Sequence, residues 1–249
     1  MSLTTRIIPD FLSIEPDDWD LLDHGDNPFL SHAFLGELER SGSIGPESGW
    51  QPFHLAVFDG DKLLAFAPTY AKGNSHGEFV FDWAWADAYQ RNGVPYYPKL
   101  LTGVPYTPVT GPRLLVRRDS DDRAGLKKRL AQMARQACGE RGFSTWHCNF
   151  VTGEDFAALD QEGLLHRRDW QFHWRNEGYR DFDDFLETLR SRKRKNIRRE
   201  RHRIHASGIE FEWKAGHELV AEEFAFVHDC YICLLYTSDA ADDTQFVLV

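Results

Sequence analysis

Two carboxylates lie among aromatic residues in the segment FDWAWADAY, residues 81–89. Asp82 and Asp87 flank Trp83 and Trp85. A carboxylate beside indole rings can orient a cationic amine and accept its proton. We therefore predict both aspartates as catalytic residues and both tryptophans as substrate-binding residues. The alternative interpretation is structural, with Asp82 capping a helix and the tryptophans in the core.

A connection rich in proline follows this segment and enters a strand near residue 113. Prolines fix the path of a loop, and loops on a rigid path often carry binding groups. The alternative is that these side chains pack over a sheet edge. The predicted substrate-binding residues of this connection are Tyr96, Tyr97, Lys99, Thr110 and Arg113.

Two histidines lie in segments predicted as strands. His147 alternates with Trp146 and Cys148, and His173 lies between Phe172 and Trp174. Histidine titrates near neutrality, so His147 is a candidate base and His173 a candidate substrate ligand, although a lone histidine on an apolar strand also fits a core position. The sequence has no Ser-His-Asp or Cys-His spacing and no His/Cys/Asp group with metal-ligand spacing, so we expect no metal.

A basic stripe runs from Arg190 to Arg203 and holds nine of the 29 Lys and Arg residues, in a chain of formal net charge -10. Like charges at i,i+4 spacing on a helix repel, which favours a bound anion over a solvated helix face or a general nucleic-acid or targeting patch. We therefore predict a phosphate site. The predicted phosphate-binding residues are Arg192, Lys193, Arg194, Lys195, Arg198 and Arg199.

The composition is that of a globular protein. The chain has 249 residues, of which 42% are hydrophobic, enough for one large domain or two small ones. The sequence shows neither the pattern of a signal peptide nor an apolar run of the roughly 20 residues that a membrane span needs. We expect a cytoplasmic protein whose four cysteines are reduced.

The periodicity of apolar residues predicts strands and helices in mixed order, hence an α/β (α+β) fold with a mixed β-sheet flanked by helices. The turn Asp59-Gly60-Asp61 between two β-rich runs predicts a hairpin. The predicted strands are Thr4–Ile14, Glu78–Phe81, Arg113–Arg118, Phe143–Phe150, Trp170–Trp174 and Ile209–Trp213. The predicted helices are Asn27–Arg40, a piece ending at Gly93, one from Asp121 to Gly142, Glu154–Glu162, Phe182–Leu189, the basic stripe and Glu218–Ile232.

The last segment, residues 233–249, breaks these patterns. Its CLLYTSDAADD is similar to the in-frame translation of a transposon-type sequencing-library adapter. We expect a non-native, adapter-derived tail on a C-terminally truncated fragment, with a natural acidic tail as the alternative. The predicted domains are 1–169, 170–232 (incomplete) and this tail.

Residues from about 27 to 232 resemble the FemAB-like predicted N-acyltransferases, a peptidoglycan biosynthesis or recognition family of the GNAT-like superfamily. The resemblance rests on NPFLSHAFLGELERSGSIGPESGWQP, GEFVFDWAWADAYQRNGVPYYPKLLTGVPYTPVTGPRLL, WQFHWRNEGY and FLETLRSRKRKNIRRERHRIHASGI. It implies a complete first GNAT-like domain and the beginning of a second, with transfer of an acyl or aminoacyl group to an amine. The alternative is a non-catalytic module that binds a nucleotide-linked or cell-wall precursor, or tRNA.

One departure leaves the acyl donor open. Many GNAT enzymes hold the pyrophosphate of acyl-CoA with a glycine-rich loop before a helix, where backbone N–H groups face the anion. The matching segment here, RRDSDDRAGLKK, has one glycine and three aspartates, which would repel a pyrophosphate. Acyl-CoA and aminoacyl-tRNA therefore both stay open as donors, and the acceptor is a small-molecule or cell-wall-precursor amine.

Overall fold

The computed structural model describes residues 3–80, 82–168 and 170–242, with side chains as far as Leu234. Its contacts divide the chain into two compact units, Met1–Asp169 and Trp170–Val249. The identity of these units as GNAT-like domains stays a prediction.

The first unit alternates strands and helices, which confirms the predicted α/β class. The strands are β1 Leu3–Ile8, β2 Trp50–Pro52, β3 His54–Asp59, β4 Lys62–Ala67, β5 Thr69–Lys72, β6 Lys99–Thr102, β7 Leu115–Val116 and β8 Trp146–Cys148. The helices are α1 Pro16–Asp20, α2 His32–Arg40, α3 Trp83–Arg91, α4 Arg123–Arg141 and α5 Gly153–Gln161, with short 3-10 turns at Phe11–Ser13 and Pro28–Leu30.

One long hairpin passes through two four-stranded sheets. The first sheet has the order β1-β3-β4-β7 and is antiparallel, and the second has the order β2-β5-β6-β8, in which β6 and β8 run parallel. Only Phe53 separates β2 from β3, and only Pro68 separates β4 from β5. The predicted turn is confirmed, with Gly60 at a φ of 61°. The neighbour of the hairpin therefore changes from β7 to β6 at Pro68.

The core lies on both faces of these sheets. Helix α4 packs Leu126, Leu130 and Ala134 against alternate residues of the hairpin, including Leu55 and Val57. On the opposite face, residues from α1 and α2 join a second buried cluster. Strand residues alternate between the two faces, so this layered arrangement buries both sides of the hairpin.

Helix boundaries follow the capping residues. The Asp122 Oδ1 accepts a hydrogen bond from the Gly125 backbone N–H at 2.9 Å, and α4 ends at Gly142 in the left-handed conformation. Ser31 caps α2 in the same way, so the helix predicted from Asn27 begins only at His32.

Several predicted strands are shorter or are not strands at all. Glu78–Val80 has no strand structure, and Phe81 lies outside the described residues. The strands predicted at Thr4–Ile14, Arg113–Arg118 and Phe143–Phe150 shrink to β1, β7 and β8. An alternating pattern gives a strand only where another strand offers its backbone groups.

The second unit is helical in its described part. Its helices are α6 Phe182–Glu187, α7 Ser191–Ala206 and α8 Ala221–Asp242, with a 3-10 turn at Gly216–Glu218. The predictions of strands at Trp170–Trp174 and Ile209–Trp213 are wrong, because neither segment has strand structure and their aromatic side chains are exposed. Among the described residues of either unit, no helix is both long and apolar enough to cross a bilayer.

Candidate active site

Two buried lysines face each other across neighbouring strands of the second sheet. Lys72 on β5 and Lys99 on β6 are register partners, and both side chains are fully buried. Like charges directly opposite in a sheet repel, and a buried ammonium is costly without anionic partners. This pair therefore requires carboxylates close to the sheet.

The segment between β5 and α3 supplies them. Glu78 Oε2 accepts a hydrogen bond from Lys99 Nζ at 2.8 Å, and Asp82 Oδ2 accepts another from the same nitrogen. Lys72 Nζ lies 3.7 Å above the Trp50 ring and donates to the His76 carbonyl at 3.1 Å. The segment thus crosses the sheet and places the carboxylates of Glu78 and Asp82 against Lys99. We call Lys72, Ser75, Glu78, Asp82, Tyr96, Tyr97, Lys99 and His147 the polar cluster.

Asp82 is the most completely bonded member. Ser75 Oγ donates to Oδ1 at 2.6 Å, and Tyr96 OH and Lys99 Nζ donate to Oδ2, the tyrosine at 2.6 Å. Burial would raise the pKa of Asp82, but these hydrogen bonds outweigh it and hold the pKa below its usual value. Asp82 is also the residue before α3 but makes no side-chain cap bond. An ionised, fully bonded carboxylate is poorly suited to the predicted role of base.

Glu78 differs in both respects. Its Oε1 is buried without a hydrogen bond in the described structure, and Lys72 Nζ lies 4.0 Å away. Burial raises the pKa of Glu78 despite the opposing effect of Lys99. Burial likewise lowers the pKa of Lys72 to about 8, against the attraction of Glu78. Burial therefore shifts the pKa values of these two groups towards each other.

His147 and Tyr97 are the partly buried members of the polar cluster, whose other members are buried. Burial and the nearby Lys99 charge lower the pKa of His147 to about 4, so its imidazole is neutral at pH 7. His147 makes no hydrogen bond to a described residue, and a nitrogen of its ring lies within 4.8 Å of carboxylate oxygens of Glu78 and Asp82. A neutral imidazole backed by carboxylates can accept a proton from solvent or substrate.

The same three groups could in principle hold a metal ion. Their donor atoms all lie within 4.8 Å of one another. Lys99 Nζ already donates to both carboxylates, so a cation occupies their common side. A divalent ion would have to displace that ammonium.

Four of the predicted site residues meet His147 in the polar cluster, namely Asp82, Tyr96, Tyr97 and Lys99. Others lie elsewhere in the first unit. Asp87 and Thr110 are exposed, and Trp83 and Trp85 are about half exposed on α3 rather than in the core.

Arg113 is placed differently from the prediction, because it is fully buried and its guanidinium bonds to backbone carbonyls. It donates to the carbonyls of Asn149, Pro112 and Val109 at 2.9, 3.1 and 2.5 Å. The backbone N–H of Arg113 donates to Asp155 Oδ2 at 2.6 Å, and Lys127 Nζ donates to Oδ1 at 2.7 Å. Arg113 therefore holds the proline-rich loop in place instead of facing a substrate.

The basic stripe forms α7, in the second unit, and has two opposite faces. On one face, Arg194 pairs with Glu187 at 2.6 Å, and Arg198 pairs with Asp183 and Glu187 at 3.2 and 3.1 Å. Arg201 belongs to this paired face and lies 4.3 Å above the ring of Phe182.

The free face of α7 consists of Arg192, Lys195, Arg199 and Arg203, at spacings of three and four residues. All four are exposed, and none makes an ion pair with a described residue. Lys193 is exposed at the side. His173, the remaining predicted ligand, also belongs to the second unit, where it is exposed and contacts Gln171 at 3.3 Å.

Sequence reasoning missed Lys72, Ser75 and Glu78. The strand KLLAFAPTYAK ends in a lysine within an otherwise apolar run, and Lys99 begins another apolar strand. Two such lysines at strand ends, with Glu78 and Asp82 four residues apart between them, were the available signal. Register decides whether the lysines meet, and register is not visible in the sequence.

The α4 N-terminus, where a pyrophosphate would bind in the resemblance, is occupied by the chain itself. Asp122 caps the helix, and a side chain at Gly125 would meet that carboxylate at 2.2 Å. Asp119 nearby pairs with Arg117 at 2.9 Å. This helix end therefore does not fit the pyrophosphate of acyl-CoA.

The first unit thus combines a mixed α/β fold with a buried cluster of lysines and carboxylates. The sequence model of the FemAB-like family, described as peptidoglycan biosynthesis/recognition, matches residues 10–242. This chain therefore belongs to the FemAB-like family. A search of curated proteins finds no match at the significance threshold.

Several solved structures are similar to this chain. A GNAT family acetyltransferase from Staphylococcus aureus has 12% identity and a TM-score of 0.41, covering 70% of this chain and 99% of its own. A ribosomal-protein-alanine N-acetyltransferase from Brucella melitensis has 10% identity and a TM-score of 0.39, covering 71% and 99%. A glucosamine-6-phosphate N-acetyltransferase from Arabidopsis thaliana has 8% identity and a TM-score of 0.37, covering 71% and 100%. At these values the likenesses carry no argument about activity, substrate or donor.

Proposed function

We propose that this protein is an N-acyltransferase that moves an acyl or aminoacyl group onto an amine. The observation that carries the proposal is His147, a partly buried, neutral imidazole with a ring nitrogen within 4.8 Å of two buried carboxylates. FemAB-like membership supports it, and the family's description suggests a cell-wall-precursor amine as acceptor. We also propose a cytoplasmic location and two GNAT-like domains.

In the proposed reaction, the amine nitrogen attacks the carbonyl carbon of the activated acyl group. The new C–N bond forms, the bond from carbonyl carbon to the leaving oxygen or sulfur breaks, and the leaving group departs with the electron pair. His147 accepts the proton that the amine loses, and the charge of Asp82 partly offsets the burial that disfavours the imidazolium. The proton then passes to the leaving group or to solvent.

The experiment compares His147→Gln with His166→Gln, a matched control because His166 pairs with Asp160 at 2.9 Å outside the polar cluster. Full-length protein is offered acyl-CoAs and aminoacyl-tRNAs with candidate amines, and the product is detected by mass spectrometry. We expect His147→Gln to lower kcat/KM by roughly 100-fold or more and His166→Gln to leave it unchanged. Equal activity of the two variants would remove His147 from the mechanism.

Acyl-CoA and aminoacyl-tRNA are tested separately in that assay. Because Asp122 fills the α4 N-terminus, we propose the free face of α7 as the site for a phosphate-bearing anion. Its cations are exposed and unpaired within the described chain, whereas the paired face is already neutralised by α6. Arg203 thereby joins the predicted ligands, and Arg194 and Arg198 become structural.

A charge-matched pair of variants tests this assignment. Arg192→Gln with Lys195→Gln removes two charges from the free face, and Arg194→Gln with Arg198→Gln removes two from the paired face. Inorganic pyrophosphate is titrated at low and high salt. We expect the free-face variant to lose most of the salt-dependent binding and the paired-face variant to keep it. Equal losses would mean that net charge alone attracts the anion.

A second candidate function is a non-catalytic binding module. The α4 N-terminus favours this function. It is acidic and is capped by Asp122, so a phosphate-bearing donor cannot bind there. Saturable binding of a nucleotide-linked or cell-wall precursor without turnover on any donor would select this function.

Sequencing the gene across codons 232 and 233 tests the proposed adapter-derived tail, which a native reading frame would exclude.

A further inference from the structure

A cavity of about 500 Å³ opens at the junction of α6 and the turn before it, in the second unit. We call its lining the aromatic pocket. It consists of Trp174, Asn176, Tyr179, Asp181, Phe182 and Phe185. Neither the family description nor the proposed acyl transfer assigns it a ligand.

Three rings of this pocket form an angular arrangement. Trp174 and Tyr179 lie nearly parallel, 25° apart with centroids separated by 6.2 Å. Phe185 stands almost perpendicular to both, at 6.0 Å and 87° from Trp174 and at 5.5 Å and 70° from Tyr179. The pocket therefore presents both ring faces and ring edges, and the negative ring faces attract a cation.

Local hydrogen bonds stabilise the turn and the helix start that line the aromatic pocket. Asn176 Oδ1 accepts from the backbone N–H groups of Gly178 and Tyr179, each at 3.0 Å, which forms the turn that carries the tyrosine. Asp181 Oδ1 caps α6 by accepting from the Asp184 N–H at 2.8 Å. The turn and the helix start thus hold the rings beside a carboxylate.

Charge favours a positively charged ligand. Asp181 Oδ2 has no hydrogen bond to a described residue, so the carboxylate keeps one free oxygen at the pocket. The aromatic surface already binds one cation of the chain, because Arg201 lies above Phe182. Arg180, the nearest cation in sequence, is held by Asp184 at 3.2 Å. The faces of Trp174 and Tyr179 have no such partner within the described structure.

We propose that the aromatic pocket binds an organic cation, specifically an alkylammonium group. Its methyl groups contact the rings of Trp174 and Tyr179, and its charge is balanced by Asp181. The site is independent of the acyl transfer proposed above, so either proposal stands if the other fails.

The test is a calorimetric titration of the full-length chain with choline and with its uncharged isostere, 3,3-dimethylbutan-1-ol. We expect choline to bind roughly fivefold tighter or more, since the two ligands differ mainly in charge. Trp174→Leu should weaken choline binding by a similar factor, and Trp174→Phe, which keeps a ring, should retain most of it. Trp213→Leu is the matched control, because Trp213 is exposed in the same unit but does not line the pocket.

Asp181→Asn separates charge from folding, because asparagine also caps a helix. We expect it to weaken choline binding at low salt while circular dichroism stays unchanged. The proposal is overturned if the neutral alcohol binds as tightly as choline, if choline shows no saturable binding, or if both Trp174 variants bind like the control.

Discussion

Lys99→Met should destabilise the protein far more than loss of an ordinary lysine. Methionine keeps most of the aliphatic stem but removes the ammonium that donates to Glu78 and Asp82. Both carboxylates are almost fully buried, so neither can recover its lost partner from water. Breaking a buried ion pair costs about 3–5 kcal/mol, a large share of the roughly 5–15 kcal/mol that stabilises a typical domain.

A second substitution should restore part of the loss. Lys99→Met with Glu78→Gln leaves one buried cation, Lys72, and one buried anion, Asp82. We expect this double variant to be more stable than Lys99→Met alone by at least about 1 kcal/mol, the coupling typical of neighbouring charges. In Lys99→Met the folded-state pKa of Glu78, already raised by burial, rises further, so the stability from this group is present at acidic pH and is lost as the pH rises through that pKa.

Urea unfolding followed by circular dichroism at pH 5 and pH 7 measures these free energies. Lys62→Met is the control, because Lys62 and its partner Asp119 are exposed and 3.6 Å apart, and such pairs contribute at most about 1 kcal/mol. If Lys99→Met costs no more than Lys62→Met, the buried lysine–carboxylate pairing is refuted.

Three further outcomes follow from single residues. Burial lowers the pKa of His147 from 6.5 to about 4, so the free energy of unfolding should fall as the pH drops from 6.5 to 4. His147→Gln should make this fall smaller, as measured by urea unfolding at pH 4.5 and 7. An unchanged slope would contradict the burial of the ring. Gly77→Ala should lower the free energy of unfolding by at least about 1 kcal/mol more than Gly93→Ala. Both glycines have a positive φ, but only a Cβ at Gly77 would lie 2.5 Å from the Tyr106 ring. Equal shifts of the melting temperature in the two variants would exclude that contact. Asp155→Ala leaves two backbone N–H groups without their acceptor and removes the shorter of the two ion pairs of the buried Lys127, so we expect a loss of about 3–5 kcal/mol in the free energy of unfolding. A loss below about 1 kcal/mol would argue against this anchor.

Local signals in the sequence predicted the elements that need no distant partner. The hairpin turn at Gly60 and the capped helix α4 both formed as expected, because turn and cap chemistry act over a few residues. The alternating segments 170–174 and 209–213 did not become strands. Alternation describes a possible sheet face, and the strand itself requires another backbone to pair with.

The candidate site was predictable in part for the same reason. Asp82 and Lys99 stand out by residue type, but the three donors to the Asp82 carboxylate come from distant positions in the sequence. Lys72 and Glu78 were missed because their proximity depends on strand register and on the path of a loop. The sequence predicts Arg113 as a substrate-binding residue, whereas in the structure its buried guanidinium donates hydrogen bonds to backbone carbonyls.

The two faces of α7 imply two different rules for sequence change during evolution. On the paired face, Arg194 and Glu187 form one unit, so a charge reversal at either position should persist only with the opposite reversal at the other. On the free face, Arg192 and Lys195 have no such partner in the described chain, and exchange between lysine and arginine preserves their charge. Homologous sequences should therefore show correlated pairs along one side of this helix and interchangeable cations along the other.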